Sequence, residues 1–211
     1  FLIKKKINLK LIEIDNEAVS FLIEKFPILK NKIISGNFIT MELKTFFGQE
    51  NFSIIGNFPY NISSQIVFKT LENRDLIPFF SGMFQKEVAK RICEKPGSKA
   101  YGIISVLCQI FYHTEYLFSV APLVFSPPPK VDSGVIALTR KTNLSKDFDE
   151  KLLFKVVKLS FQQRRKTLRN SLKSLGIPKY ILEDSIFDLR PEKLSGDEFI
   201  ELTKKVENAK V

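Results

Sequence analysis

The chain has 211 residues, 44% of them hydrophobic, and a formal net charge of +10. That size and apolar content support one good-sized core, or a core with a small appended domain, and exclude a disordered chain. No apolar run approaches the roughly 20 residues that span a bilayer, so no membrane association is expected. The two cysteines, Cys93 and Cys108, lie in apolar or helical contexts without a second pair, which fits a reducing, cytoplasmic compartment better than a disulfide framework. The opening stretch "FLIKKKINLK" has neither an initiator Met nor the small-residue cleavage site of a signal peptide, and the chain is expected to begin inside a larger protein.

In chain order, "LKLIEID" predicts a strand ending at Glu13, followed by an amphipathic helix from about Glu17 to Phe26. "NKIISGNF" and "FSIIGNFPY" predict two further short strands. Helix resumes in "NISSQIVFKTLENR", where Asn61 or Ser63 can cap the first turn. "PFFSGMFQ" predicts a strand running into the helix "KEVAKRICE", and a helix follows around Ile103 to Phe111. "TEYLFSV" and "VDSGVIALTR" read as strands flanking the proline-rich loop "APLVFSPPPK". Alternating strands and helices predict an α/β domain with a largely parallel sheet.

Composition turns polar around Thr142 to Asp149, where a linker is expected, and the rest is helical. Leu168, Leu172 and Leu175 fall on one helical face and Lys166, Arg169 and Lys173 on the other. A last helix from Ser195 or Asp197 carries Phe199, Leu202 and Val206 at apolar spacing. Lys151, Lys155, Lys158, Arg164, Arg165, Lys166, Arg169, Lys173 and Lys179 fall in one stretch without an acid. Such a block attracts a polyanion by counterion release, or it is a solvated helix face.

In doubly wound sheets ligands bind beyond the carboxyl ends of the strands, and three predicted strand ends carry polar groups. Glu13 suits the hydroxyls of a ribose, Gly36-Asn37-Phe38 offers close approach, an amide and a ring, and Asn57-Phe58-Pro59-Tyr60 ends the third. Each also has a plain alternative: a helix N-terminal acid, a turn, a strand stop. Asn-Phe-Pro-Tyr fits one reaction. The exocyclic amine of adenine is a poor nucleophile because its lone pair is delocalised into the ring. An Asn oxygen and the next backbone carbonyl, stiffened by Pro59, can accept both amine hydrogens and free the lone pair for attack on a methyl sulfonium. Tyr60 supplies a ring on which the base stacks. His113, the one histidine, lies in an aromatic stretch and is expected to pack. No spacing of Cys, His and Asp suggests a metal site.

Five stretches in order carry a family resemblance: "GNFPYNISSQIVFK", "QKEVAKRICEKPGSKAYGIISVL", "VFSPPPKVDSGVIAL", "FQQRRKTLRNSL" and "RPEKLSGDEFIEL". Over nearly its whole length the chain resembles the rRNA adenine N6,N6-dimethyltransferases of the KsgA-like family. The resemblance implies a Rossmann-like class I methyltransferase sheet in residues 1–141 and a small all-helical rRNA-binding domain in residues 142–211. It implies transfer of methyl groups from S-adenosyl-L-methionine to N6 of two adjacent adenines in small-subunit (16S) rRNA during ribosome biogenesis, by a monomer.

By the same resemblance, Asn57, with the backbone of Phe58 and the stiffness of Pro59, holds the amine. Tyr60 and Phe125 sandwich an extruded adenine. Glu13, Asn37 and Asn57 bind the cofactor, and Lys130, Arg164, Arg165, Lys166 and Arg169 grip rRNA phosphates. Part of the Arg-Arg-Lys cluster can instead tie domains together.

Two departures stand out. Asn37 occupies the position of a usual Asp, which implies weaker cofactor binding. No G-x-G occurs in the chain, so the family's glycine-rich cofactor loop is missing from these residues. The resemblance then implies an open, incomplete cofactor site here, with the function belonging to the parent enzyme. Two alternatives are an erythromycin-resistance type methyltransferase of 23S rRNA and a non-catalytic nucleic-acid-binding relative. "PGSKAYG", "RRKTLRN" and "RPEKLS" favour the small-subunit enzyme.

Overall fold

The structure, a computed structural model, describes residues 1–5, 7–144 and 147–209. It contains two compact units, Phe1–Glu50 and Asn51–Val211. In the first, strand β1 (Leu11–Glu13) pairs in parallel with β2 (Ile33–Ser35), Glu13 opposite Ser35. Helix α1 (Asn16–Lys25) connects them, and the Asp15 carboxylate caps it by accepting from the N–H groups of Glu17 and Ala18. A short helix α2 (Leu43–Phe47) follows, with Leu43 buried.

The second unit is built on a four-stranded sheet ordered β3-β4-β6-β5. Strand β3 (Ile54–Asn57) runs parallel to β4 (Phe79–Gln85), Asn57 opposite Met83. Strand β6 (Ser133–Arg140) is antiparallel to both β4 and β5 (Tyr112–Val120). The expectation of a largely parallel sheet therefore holds for β1–β2 and β3–β4 only. No α-helix separates β5 from β6; the chain returns through the short loop 121–132, which joins an antiparallel pair.

Helix α3 (Ser63–Glu72) follows β3, and α4 (Lys86–Cys93) follows β4. Helix α5 (Ile103–Phe111) is buried on nearly every side, from Ile104 to Phe111 except Gln109. That places it at the centre of the core, against α3, α4, α6 (Glu150–Gln162) and α9 (Gly196–Asn208). Arg74 fixes this junction: its guanidinium pairs with Glu150 and lies 4.4 Å from the centroid of the Phe111 ring. The linker expected over 142–149 includes residues 145 and 146, which lie outside the described residues.

Three local expectations change. Helix α3 has no side-chain cap; the Ser63 hydroxyl instead donates to the Tyr60 carbonyl at 2.9 Å, because a 3-10 turn (Tyr60–Ile62) leads straight into the helix. His113 is exposed rather than packed, since β5 begins at once after α5 and points it outward from an edge strand. The amphipathic helix expected over 166–175 is broken into α7 (Leu168–Ser171) and a 3-10 turn (Lys173–Leu175), ending at Gly176 with φ 66°. Leu168 and Leu172 are still fully buried. Helix α8 (Lys179–Leu182) is a single turn.

Helix α9 starts where the sequence places it. Ser195 and Glu198 form a reciprocal capping box, and Phe199, Leu202 and Val206 are fully buried. The Phe199 ring lies 6.0 Å from Phe161 of α6. Phe199→Ala is expected to lower stability by about 3–5 kcal/mol, read as a fall in the urea midpoint at unchanged slope.

Candidate active site

At the carboxyl end of β3 the chain goes from Asn57 through Phe58 and Pro59 into the turn that begins at Tyr60. The Phe58 N–H reaches the Met83 carbonyl at 3.4 Å, extending the strand pairing by one step. The Phe58 ring turns inward. It stacks on Phe80 and Phe84, each with a centroid separation of 5.5 Å, both of which are fully buried. Gly56 and Gly82, opposite one another in the β3–β4 register, make room for it. A Cβ at Gly56 would lie 2.7 Å from the Phe58 ring, and one at Gly82 2.8 Å from it.

With its neighbour anchored in this way, Asn57 is left exposed, and its side chain makes no hydrogen bond among the described residues. Tyr60 is half-buried, and its hydroxyl shares a 2.5 Å hydrogen bond with the Ser133 hydroxyl. Ser133 is fully buried and opens β6, opposite Val120 of β5. The loop 121–132 is thus clasped beside the Asn57–Tyr60 turn. A second clasp joins Lys86, the first residue of α4, to Asp132. The Lys86 ammonium donates to the carboxylate at 2.7 Å and its N–H donates to the Asp132 carbonyl at 2.9 Å. The hydrogen-bonded carboxylate holds the Lys86 ammonium above the usual lysine range.

Phe125 leaves the 3-10 turn Pro122–Val124 half-buried. It makes no ring contact with Tyr60 among the described residues. Lys130, farther along the loop, is exposed.

Glu13 and Asn37 belong to the first unit, at the ends of its two paired strands. One Glu13 carboxylate oxygen accepts from the N–H groups of Ile14 at 2.8 Å and Asp15 at 2.9 Å, and the other accepts no hydrogen bond among the described residues. The Gly36 N–H donates to the Glu13 carbonyl at 2.8 Å. The Asn37 side-chain oxygen accepts from the Ile39 N–H at 2.9 Å, which is a turn-forming bond. An amide oxygen has two lone pairs, so one acceptor site and both amide hydrogens remain.

The basic residues divide. Arg164 donates to the Ser98 carbonyl at 3.1 Å, and Arg169 grips Asp188 through Nε and Nη2 at 3.1 and 2.7 Å. Arg165 and Lys166 are exposed, with no side-chain bond among the described residues. On α6, Lys151, Lys155 and Lys158 are exposed while Leu152, Leu153, Val156 and Val157 are buried. An open groove of about 710 Å³ runs from Ser64 and Phe68 on α3, past Arg91 and Lys99, to Phe161 and Arg164.

Neither thiol is activated. Burial pushes the Cys93 thiol up to about 11 and raises that of Cys108 as well. No group of three or more His, Cys, Asp and Glu residues among the described residues is placed to hold a metal ion. No helix among them is long and apolar enough to cross a membrane.

A family model of ribosomal RNA adenine dimethylases matches residues 2–204. The chain belongs to this family. It is 61% identical over 207 residues to a ribosomal RNA small subunit methyltransferase A of Flavobacterium johnsoniae, which covers 98% of this chain and 79% of the relative. The protein of the same name from Bacteroides thetaiotaomicron is 53% identical over 210 residues, covering 99% and 79%.

Among solved structures, a dimethyladenosine transferase from Plasmodium falciparum superposes with a TM-score of 0.78 at 22% identity, covering 95% of this chain and 82% of its own. The 23S rRNA methyltransferase ErmE superposes with a TM-score of 0.63 at 22% identity, covering 93% and 80%. The α/β fold is that of class I methyltransferases.

Two features of the Asn57–Tyr60 turn have no local mark in the sequence. Ser133 stands in the "PPPKVDS" stretch but gave no sign of its bond to Tyr60. Phe58 was assigned a backbone role, whereas its ring is the anchor of the turn. Gly82→Ala is expected to destabilise the protein by about 1–3 kcal/mol through overpacking against Phe58 and Phe84. Adding Phe58→Leu should recover part of that loss, a coupling that urea unfolding of the two single variants and the double variant measures.

Proposed function

We propose that the protein transfers methyl groups from S-adenosyl-L-methionine to the exocyclic N6 of two adjacent adenines in small-subunit (16S) rRNA, in the cytoplasm, during ribosome biogenesis. The observation that carries this is the Asn57–Tyr60 turn, with its unbonded amide, in a chain that the adenine dimethylase family spans from residue 2 to residue 204. The names of the 61% and 53% identical relatives favour the small subunit. The likeness to ErmE supports a common fold and nothing about the choice of rRNA.

On this reading the Asn57 side-chain oxygen and the Phe58 carbonyl accept the two hydrogens of the adenine amine. Pro59 fixes the angle between them. Two acceptors placed out of the base plane draw the nitrogen toward a tetrahedral shape, so its lone pair leaves the ring and becomes nucleophilic. Tyr60 and Phe125 stack on the two faces of the extruded base, each contact worth roughly 1–3 kcal/mol. The Ser133 hydroxyl keeps the Tyr60 ring from turning away. As the N–C bond forms, the amine becomes cationic and loses a proton to water. A second cycle at the same nitrogen gives the dimethyl product.

The donor set in the first unit suits the cofactor. Among the described residues, Glu13 keeps one carboxylate oxygen open for ribose hydroxyls, and Asn37 keeps an acceptor site open for an adenine amine. When bound, S-adenosyl-L-methionine supplies an electrophilic methyl group on a sulfonium and leaves as the neutral thioether. An uncharged Asn37 accepts that bond less strongly than a carboxylate.

Residues 142–211 form the rRNA-binding part in this proposal. Lys130, Arg165 and Lys166 meet phosphates directly, along with the exposed lysines of α6. Arg164 keeps donors available beyond its bond to Ser98, and Arg169 acts from its ion pair with Asp188. The protein works as a monomer, with the small-subunit precursor as its partner.

Tritiated S-adenosyl-L-methionine, given to the protein carrying this chain with under-methylated small subunits, with large-subunit RNA or with no RNA, tests the proposal. Label is expected in small-subunit rRNA as dimethyladenine, and Asn57→Ala should lower its rate by about 10²-fold or more, as loss of a preorganised polar contact does elsewhere. Label confined to large-subunit RNA, or none, overturns it.

A further inference from the structure

Loop 121–132 holds two large aliphatic side chains out in solvent: Leu123 is 90% exposed and Val124 69%. Exposed apolar residues are ordinary when scattered singly, but these are adjacent and stand on a stiff support. Pro122 opens their 3-10 turn, and the Phe125 N–H closes it on the Pro122 carbonyl at 3.1 Å. The place of the turn is fixed as well. Val120 is paired with Ser133 across β5 and β6, and Ser133 holds the Tyr60 hydroxyl. Three residues of chain reach at most about 11 Å, so Leu123 stays within that distance of Val120. It also stands two residues from Phe125.

An adenine in stacked RNA does not present its N6 amine to an enzyme until it leaves the stack. Proteins that open a stack commonly push an apolar side chain between base steps, partly unstacking them. We propose that Leu123, supported by Val124, is the wedge that enters the rRNA stack beside the target adenine and occupies the space it vacates. The proposal rests on the assignment of the Asn57–Tyr60 turn as an adenine N6 methyltransferase site. Lys130, exposed in the same loop, suits the phosphates of that strand. Leu123 then acts as a positioning residue: it favours the extruded base without touching the reacting atoms.

The test uses intact protein and under-methylated small subunits. Leu123→Ser is expected to lower kcat about tenfold with KM changed less than twofold, because the contribution appears when the base leaves the stack. Leu123→Met, which restores an apolar side chain of similar size, should recover at least half of the rate. Leu117, 41% exposed at the irregularity in β5, provides the control, and Leu117→Ser should be indistinguishable from the parent. Since Leu123 packs against almost nothing, both Leu123 variants should unfold at the parent's urea midpoint.

Unchanged kcat in Leu123→Ser overturns the wedge. So does an effect confined to KM, or an equal loss in Leu117→Ser. If the parent protein itself leaves small-subunit adenines unmethylated, the underlying assignment fails. If the parent methylates them and Leu123→Ser does so equally well, only the wedge fails.

Discussion

The Phe58 ring governs the geometry of the Asn57–Tyr60 turn. It lies on Phe80 and Phe84 in the floor of β4, over two glycines whose lack of a side chain gives it room. A side chain that must be buried follows one that must be free. With Phe58 locked inward, the strand's alternation directs Asn57 to the opposite side and into solvent. Pro59 then removes freedom from the next step, and Tyr60 is caught by Ser133. An amide tethered only by its own backbone could turn to bond with nearby N–H groups; this one is held at a strand end where it meets none among the described residues. The same clamp aims the Phe58 carbonyl, the second acceptor in the proposed chemistry. Packing energy in the core thus becomes positional accuracy at the surface, as preorganised sites require.

The proposed chemistry asks for no strong base. The thiol of Cys93 is raised to about 11 by burial, and His113 points outward from the edge strand β5. The carboxylate nearest in sequence to Ser133, Asp132, is engaged by Lys86. What remains is a set of neutral acceptors and aromatic faces. That set matches an amine whose difficulty is delocalisation rather than protonation, since a base would help only after the N–C bond has formed. In the proposed second methylation the amine presents one hydrogen fewer and would depend more on the stacked rings to stay in place.

Much of this was legible in the sequence, for identifiable reasons. The run Ser53 to Asn57 ends against Phe-Pro-Tyr, so the strand, its stop and the following helix could be read together. Helix α5 and the Ser195 capping box follow local signals, and both appear where those signals place them. What was not legible depends on partners distant in the chain. Phe58 meets Phe80 and Phe84, Tyr60 meets Ser133, and Arg169 meets Asp188, and no local pattern marks these pairs. The direction of β5 and β6 is likewise set by the loop between them and not by strand propensity. The first turn of α3 shows a subtler limit: Asn61 and Ser63 are good capping residues, but the 3-10 turn from Tyr60 takes the place a cap would fill.

The basic residues show how one charged block can serve two purposes. A guanidinium has five donors, so Arg164 can donate to the Ser98 carbonyl and retain capacity for a phosphate. Arg169 is more committed, because its Nε and Nη2 both bond to one Asp188 oxygen and its charge is locally compensated. Arg165 and Lys166, between them in sequence, carry charge into solvent with no ion pair among the described residues, continued by Lys151, Lys155 and Lys158 on α6. Counterion release depends on the phosphates neutralised, so in the proposed RNA-binding role these five residues, more than the two tethered arginines, would set the salt dependence. The tethered pair contributes differently. By holding the segments around Ser98 and Asp188 it fixes the backbone from which the free cations project, and the block can therefore present an ordered row of charge instead of a flexible one.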